Sequence, residues 1–247
     1  MIKATQAVLL SAGLGTRMRA VTDNLKIPKV MVPLLGKPLL EYHILELKKF
    51  GIREFFINLH YLPEKIVEYF GEGEKWGVKI NYQLEAPEIL GTAGGVKNFE
   101  KLLGPEFLVL YGDTFYGIDF ERFFSFWNSL PENVIGMVAA RRTDHPMDSD
   151  LAVAGEDGLI TRFILKPHTE LPEGDIWGTS APYIFKKEAL EYVPEKKYYE
   201  IDHNLVPDLL SRGYKYYAYK LGEGEFRKDI GTPERYKQVE EYLKKSL

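Results

Sequence analysis

AVLLSAGLGTRMRAVTDNLKIPKVMVPLLGKP, the stretch from Ala7 to Pro38, joins an apolar run to a glycine-punctuated loop and two basic turns. The run Ala7–Leu10 stops at Ser11-Ala12-Gly13-Leu14-Gly15-Thr16-Arg17, and Pro28-Lys29 and Gly36-Lys37-Pro38 follow before the next helical pattern. Glycines at 13 and 15 let the backbone approach a phosphate chain, so that main-chain N–H groups can point at it. Arg17 adds a planar fork and Lys29 a point charge, two complementary ways of holding phosphate oxygens. Each part alone also fits an ordinary turn with solvated charges. Together, in this order after an apolar strand, they point to a nucleotide site. Two better-known phosphate loops are excluded. The dinucleotide fingerprint needs Gly or Ala where Met18 stands, and the P-loop needs Ser or Thr where Pro38 follows Gly36-Lys37.

Outward from this loop, the first half alternates short apolar runs with amphipathic stretches. Ala7–Leu10, Glu54–Leu59, Lys79–Leu84, Phe107–Tyr111 and Val134–Ala140 read as strands. Leu39–Phe50, Pro63–Phe70, Ala93–Leu103 and Asp119–Ser129 carry the helical period. Such alternation implies βαβ units and a mainly parallel sheet, whose ligands bind beyond the carboxyl ends of the strands. The second half is less regular. Leu151–Ala154 and Leu159–Leu165 read as a hairpin, Glu188–Tyr192 and Asp202–Ser211 as helices, and Tyr214–Tyr219 as a strand. Thr232-Pro233-Glu234 starts a final helix.

The composition narrows the function classes. A chain of 247 residues with 36 acidic and 32 basic side chains, net −4, is too balanced for a nucleic-acid binder. The absence of cysteine removes disulfides, thiolate metal sites and cysteine nucleophiles. No apolar run has the length of a membrane span, and no signal-peptide pattern opens the chain, so a cytoplasmic location is expected. The histidines show no metal-ligand spacing and there is no Gly-x-Ser-x-Gly elbow, which leaves zinc and hydrolase-triad chemistry unsupported.

Two carboxylates attract attention. Asp113 follows an apolar strand and Gly112, and Asp229 stands in Lys228-Asp229-Ile230-Gly231-Thr232-Pro233 just before the last helix. A pair distant in sequence is what a nucleotide-bound Mg²⁺ site commonly uses. Spacing alone leaves open whether they meet, and acidic residues near turns are often only solvated.

On Gly-x-Gly-Thr-Arg, Pro-Lys, Lys-Pro, the strand-end Gly-Asp and Asp-x-Gly-Thr-Pro, the chain resembles the sugar-1-phosphate nucleotidylyltransferases over nearly its whole length. The resemblance implies an α/β fold, a Rossmann-like (GT-A-like) nucleotidyltransferase three-layer sandwich with a mainly parallel mixed sheet. It implies a single domain over residues 1–247, with a nucleotide-binding half (1–130), a sugar-phosphate half (131–247) and no C-terminal β-helix. NTP and a sugar 1-phosphate are the expected partners, with no nucleic acid or membrane, and a homo-oligomer is left open. Arg17, Lys29 and Asp113 become the catalytic set, and Asp113 and Asp229 the ligands of Mg²⁺. Nucleotide contacts fall to Leu10, Ala12, Gly13, Leu14, Gly15, Thr16 and Gly112, and to Gly91 and Thr92 of a second loop, Leu90-Gly91-Thr92-Ala93-Gly94. Lys166, in a Lys-Pro step, is the expected contact of the sugar phosphate.

Departures fall on the sugar side. Leu165 stands where Glu usually precedes Lys-Pro, and Trp177-Gly178-Thr179-Ser180 replaces an Asn-Ala-Gly region. Asp150, Thr179 and Ser180 can meet sugar hydroxyls where Leu165 cannot. Segment Asp144–Asp150 faintly resembles the heptose-phosphate branch. For the base, Glu85 is read as an acceptor facing the two adjacent donors of guanine, which favours GTP. The expected reaction condenses NTP and sugar 1-phosphate to NDP-sugar and pyrophosphate. Two other readings stand beside it. One is a nucleotide-sugar glycosyltransferase, for which Asp113-Thr114-Phe115 lacks a second carboxylate. The other is a non-catalytic NDP-sugar-binding regulatory subunit.

Overall fold

In the computed structural model, which describes residues 4–246 apart from the side chains at positions 17, 19–21 and 246, the opening apolar run is strand β1 (Gln6–Leu10). Helix α1 (Arg19–Leu25), a ribbon of β2 (Pro33–Leu34) and β3 (Lys37–Pro38), and helix α2 (Leu39–Lys49) follow. β4 (Glu54–Leu59), α3 (Pro63–Phe70), β5 (Lys79–Leu84), α4 (Gly91–Lys97) and β6 (Glu106–Tyr111) continue the alternation. Next come β7 (Thr114–Gly117), α5 (Phe120–Ser129), β8 (Val134–Arg141), the hairpin β9 (Leu151–Ala154) and β10 (Ile160–Ile164), and the long β11 (Ile176–Lys186). A π-helical turn over Ile201–Leu205 runs into α6 (Val206–Ser211), before β12 (Lys215–Lys220), β13 (Phe226–Asp229) and α7 (Pro233–Ser246).

Nine strands form one mixed sheet. β6, β1, β4 and β5 are neighbours in parallel, as the alternation implies. β11 pairs antiparallel with β8 along one edge, and on the other with β9 near its start and β6 near its end. β8 then pairs parallel with β12, and β9 antiparallel with β10. Strands covered on both faces lose the alternation of half-buried ones, and β8 is buried at every residue from Val134 to Ala140. One apolar cluster runs through both halves, from Ala7 to Tyr219. A second holds Val32, Leu34, Leu39, Phe115 and Ile230 beneath Val239 and Leu243 of α7. Each such side chain contributes about 1.5–3 kcal/mol on burial. This smaller cluster therefore fixes β7 beside β13, which brings the two halves of the site together. Among the described residues no helix is long and apolar enough to cross a membrane.

Beyond α1, the β2–β3 ribbon and β11, which the sequence reading did not include, three differences bear on the site. The helix expected over Ala93–Leu103 is α4, which starts at Gly91 and gives way after Lys97 to tight turns ending at Leu103. Gly94 and Gly95 supply little helical propensity to extend it. The helix expected over Asp202–Ser211 opens as a π turn, with Leu205 N–H donating to the Glu200 carbonyl at 3.0 Å. Pro207 has no N–H to give the carbonyls of that turn. The antiparallel pair β7–β13 is new, each strand being too short to show a period.

Candidate active site

A cleft of about 410 Å³ opens beyond the carboxyl ends of β1, β4 and β6, where Leu10, Asn58 and Tyr111 line its floor. The loop after β1 forms one rim through Ala12, Gly13, Gly15 and Thr16, whereas Leu14 points outward, 44% exposed. Gly15 has φ +58°, and a Cβ there would stand 3.0 Å from Lys29 Cβ. The position therefore takes glycine both for its backbone and for the approach of Lys29. The Arg17 side chain lies outside the described residues.

Lys29 reaches the cleft from beneath that loop. It is only 8% exposed, and its Nζ donates to Asp113 Oδ2 at 2.6 Å. Gly112, just before Asp113, is locked from both sides: its N–H donates to the Leu10 carbonyl at 2.8 Å, and its carbonyl faces His43 Nε2 at 3.3 Å. Burial pushes the His43 imidazole down to about 4, so it is neutral at pH 7. Asp229 stands in β13 opposite Thr114, and the next residue, Ile230, donates its N–H to the Asp113 carbonyl at 3.0 Å. The structure thus brings Asp113 and Asp229 side by side at the cleft mouth. Asp229 Oδ2 pairs with Arg235 at 2.5 Å and Oδ1 accepts from Gly231 N–H at 2.9 Å. Burial alone would raise the Asp229 carboxyl, but Arg235, Lys29 and that N–H outweigh it and hold it below the ordinary range.

Glu85 is placed differently from the base-edge role expected of it. It is 1% exposed and absent from the cleft lining. Its Oε1 accepts from Asn58 Nδ2 at 2.7 Å and its Oε2 from Leu90 N–H at 2.7 Å, while Asn58 Oδ1 accepts from Ser11 N–H at 2.6 Å. Glu85 therefore ties the first phosphate loop to the second. Gly91 and Thr92 of the second loop do line the cleft. Gly91 has φ +74°, and a Cβ there would meet the Tyr199 carbonyl oxygen at 2.7 Å. Tyr199 O in turn accepts from Ala93 and Gly94 N–H, and Thr92 Oγ1 accepts from Ile201 N–H at 2.8 Å. The second loop is thereby stitched to the π turn.

The sugar-side residues gather around one carboxylate. Asp150 Oδ1 accepts from Lys166 N–H at 3.0 Å, and its carbonyl accepts from Thr179 N–H at 3.0 Å. Its Oδ2 faces His203 Nε2 at 3.3 Å, and His203 Nδ1 lies 3.7 Å from Glu200 Oε2, a residue of the cleft wall. Ser180 lies beside Thr179 in β11, opposite Ala139. Asp150, Lys166, Thr179 and Ser180 do not themselves line the cleft, and Lys166 is exposed. Beneath them Asp202 is buried, taking the Tyr183 hydroxyl at 2.6 Å, and burial lifts its carboxyl to about 6. Sequence reasoning missed Asn58, Tyr111, Glu200 and His203. Only Tyr111, at a strand end beside Gly112, carried a signal that could have found it.

The Nucleotidyl transferase family model matches residues 6–246. A D-glycero-alpha-D-manno-heptose 1-phosphate guanylyltransferase of Aneurinibacillus thermoaerophilus is 32% identical over 245 residues, 96% of this chain and 98% of that one. A UTP–glucose-1-phosphate uridylyltransferase of Synechocystis is 30% identical over 229 residues, 87% of this chain, which spans only 58% of that protein's length. Among solved structures, HddC from Yersinia pseudotuberculosis superposes with a TM-score of 0.73 at 26% identity, covering 97% of this chain and 99% of that one. With the glycine-rich loop and the strand-end Asp113 lining one cleft and Asp229 paired beside it, the chain belongs to the nucleotidyl transferase family, alongside sugar-1-phosphate uridylyl- and guanylyltransferases.

Proposed function

We propose that this protein condenses a nucleoside triphosphate with a sugar 1-phosphate, releasing pyrophosphate and an NDP-sugar. The observation that carries the reading is the convergence of Gly13, Gly15, Thr16, Lys29 and Asp113 on one cleft, with Asp229 strand-paired beside Asp113 at its edge. The sugar phosphate oxygen attacks the α-phosphorus in line, and the bond to the β-phosphate oxygen breaks. No protein nucleophile is required, so the work is positioning and charge neutralisation. Backbone N–H groups of the first loop, with Arg17, hold the departing β- and γ-phosphates. Lys29 bridges the α-phosphate and the incoming phosphate, and Lys166 neutralises the sugar phosphate.

The residues fit Mg²⁺. Asp113 and Asp229 have side chains 37% and 36% exposed, and they offer hard oxygen donors at an open edge where phosphates and waters can complete an octahedron. Among the described residues no group of three or more His, Asp or Glu side chains forms a cage, so the nucleotide itself must supply ligands. Bound there, the ion supplies charge stabilisation to the transferring phosphoryl group. With Glu85 withdrawn into the loop lock, the argument for guanine from its carboxylate falls. The relatives named for guanylyl and uridylyl transfer then make GTP and UTP the first bases to try.

The test incubates the protein with each of five nucleoside triphosphates, a panel of neutral sugar 1-phosphates and Mg²⁺, and measures pyrophosphate. Release with one pair, lost in Asp113→Asn, is the expected result. Silence across the panel, with NDP-sugars still raising the melting temperature, would instead favour a non-catalytic nucleotide-sugar sensor.

A further inference from the structure

The wall facing the sugar side of the cleft carries charge of one sign. Glu200 lines the cleft and its backbone is fixed: its N–H donates to Asn204 Oδ1 at 2.8 Å, and its carbonyl accepts from Asn204 and Leu205 N–H in the π turn. Its carboxylate takes the Tyr198 hydroxyl at 2.8 Å through Oε1 and faces His203 through Oε2. His203 is shared with Asp150 on its other side, so two carboxylates flank one imidazole. Asp202 lies close enough behind for Asp150 to help raise its carboxyl, after burial. Two polar atoms of this wall, Thr179 Oγ1 and Asp202 Oδ1, are buried without a hydrogen-bond partner among the described residues, and Thr179 is itself only 8% exposed. The neighbouring cations are otherwise engaged or peripheral. Arg227 is buried and spends its guanidinium on the carbonyls of Ala139 at 2.9 Å and Gly178 at 3.0 Å. Lys166, which the reading above commits to the sugar phosphate, and Arg141, at the end of β8, are exposed.

Resting on the nucleotidyl-transfer reading above, we propose that Glu200, backed by His203 and Asp150, selects a neutral, hydroxyl-rich sugar phosphate and rejects one whose ring carries a carboxylate. Ionised carboxylates only accept hydrogen bonds, so the wall is matched to hydroxyl donors. Among the described residues, a second carboxylate brought against Glu200 finds no uncommitted buried cation and meets like charge in the cleft. A hydroxyl in the same place gains a charge-assisted bond instead. The sugar side thus sorts acceptors by charge before it sorts them by stereochemistry.

The test uses matched nucleotide sugars that differ only at C6, UDP-glucose with UDP-glucuronate and GDP-mannose with GDP-mannuronate, titrated calorimetrically into the protein. The neutral member is expected to bind at least about tenfold more tightly in whichever base is accepted. Glu200→Gln is expected to bring the two members within about threefold, chiefly by tightening the uronate. His203→Gln, which places an amide donor between the two carboxylates, should leave the preference for the neutral sugar in place. The ratio is taken within each protein, so a loss of fold lowers both members alike and does not imitate the effect. A uronate bound as tightly as its neutral partner, or a gap unmoved by Glu200→Gln, overturns the inference. Discrimination without pyrophosphate release from any substrate pair removes the transferase reading and leaves the charge selection standing. Binding of none of the four, nor of the matching thymidine, cytidine and adenosine diphosphate sugars, removes both.

Discussion

At the scale of single residues, the proposed chemistry turns on Lys29 and Asp113, which pair with each other in the absence of substrate. A lysine 8% exposed needs a partner, and Asp113 at 2.6 Å supplies it. The ammonium is thereby held where an α-phosphate would come, at no cost of ordering during reaction. Lys29→Met should lower kcat by about 10²–10³, measured as pyrophosphate release at saturating substrates, because it removes one preorganised charge contact. A mutant within a factor of a few of wild type would show that Lys29 serves only to anchor Asp113. Asp229 makes a separate prediction. Its carboxylate is shared with Arg235 at 2.5 Å, so any ion must draw it partly from that pair. Asp229→Asn should raise the Mg²⁺ concentration for half-maximal activity by roughly tenfold, since one of two anionic ligands is lost. An unchanged Mg²⁺ titration would remove Asp229 from the metal site. The placement of Lys29 and Asp113 at one cleft was legible because the signals are local: a loop after a strand, and a carboxylate at a strand end. Glu85 was misread for the complementary reason. Its proximity to the second loop was visible, but not that Asn58, 27 positions earlier, and Leu90 take both its oxygens.

At the scale of elements, the lock between the two loops has a fixed direction. Ser11 N–H donates to Asn58, Asn58 Nδ2 donates to Glu85, and Leu90 N–H donates to Glu85. All the donors run one way, so only an acceptor with two free oxygens closes the chain. In Glu85→Gln one buried donor must face an amide NH₂, which costs about 1–3 kcal/mol. The melting temperature should fall and KM should rise for every nucleotide alike. A change in base preference instead would restore Glu85 to the base edge. Gly95 tests the same lock from α4, because a Cβ there would stand 2.7 Å from both Asn58 Nδ2 and Glu85 Oε1. Gly95→Ala in a helix would ordinarily gain stability. Here it should instead destabilise the protein and weaken nucleotide binding, as chemical denaturation and titration would show. The β-strands and helices around this lock, α3 over Pro63–Phe70 and β5 over Lys79–Leu84 among them, announce themselves by period and fall where the sequence placed them. The β7–β13 ribbon and the π turn do not. Their existence depends on pairing across more than a hundred positions, or on a backbone donor missing at Pro207, and neither leaves a periodic trace.

At the scale of the whole molecule, the site is suspended between two buried titratable groups whose effects on stability oppose each other. His43, behind Gly112, is held neutral in the fold, with its imidazole pushed down to about 4 by burial. Its unfolded counterpart binds a proton more readily, so the stability it contributes is fully present above about 6.5 and lost as pH falls towards 4. Asp202, beneath the sugar wall, has its carboxyl lifted to about 6 from 3.8 by burial. The fold therefore holds that proton more tightly than the unfolded chain does. Its contribution is fully present below about 3.8 and lost as pH rises through 6. Each effect is worth about 3 kcal/mol, and over the window from about pH 6 down to pH 4 they nearly cancel. Single substitutions should separate them. In Asp202→Asn the gain on acidification disappears, so stability should fall from pH 7 to pH 4.5 more steeply than in the wild type. In His43→Gln the loss disappears, so stability over the same interval should fall less steeply than in the wild type, or rise. Urea midpoints followed by circular dichroism at four pH values between 7 and 4.5 would resolve both slopes. Two mutants running parallel to the wild type would mean that neither buried group carries its charge penalty into the folded state.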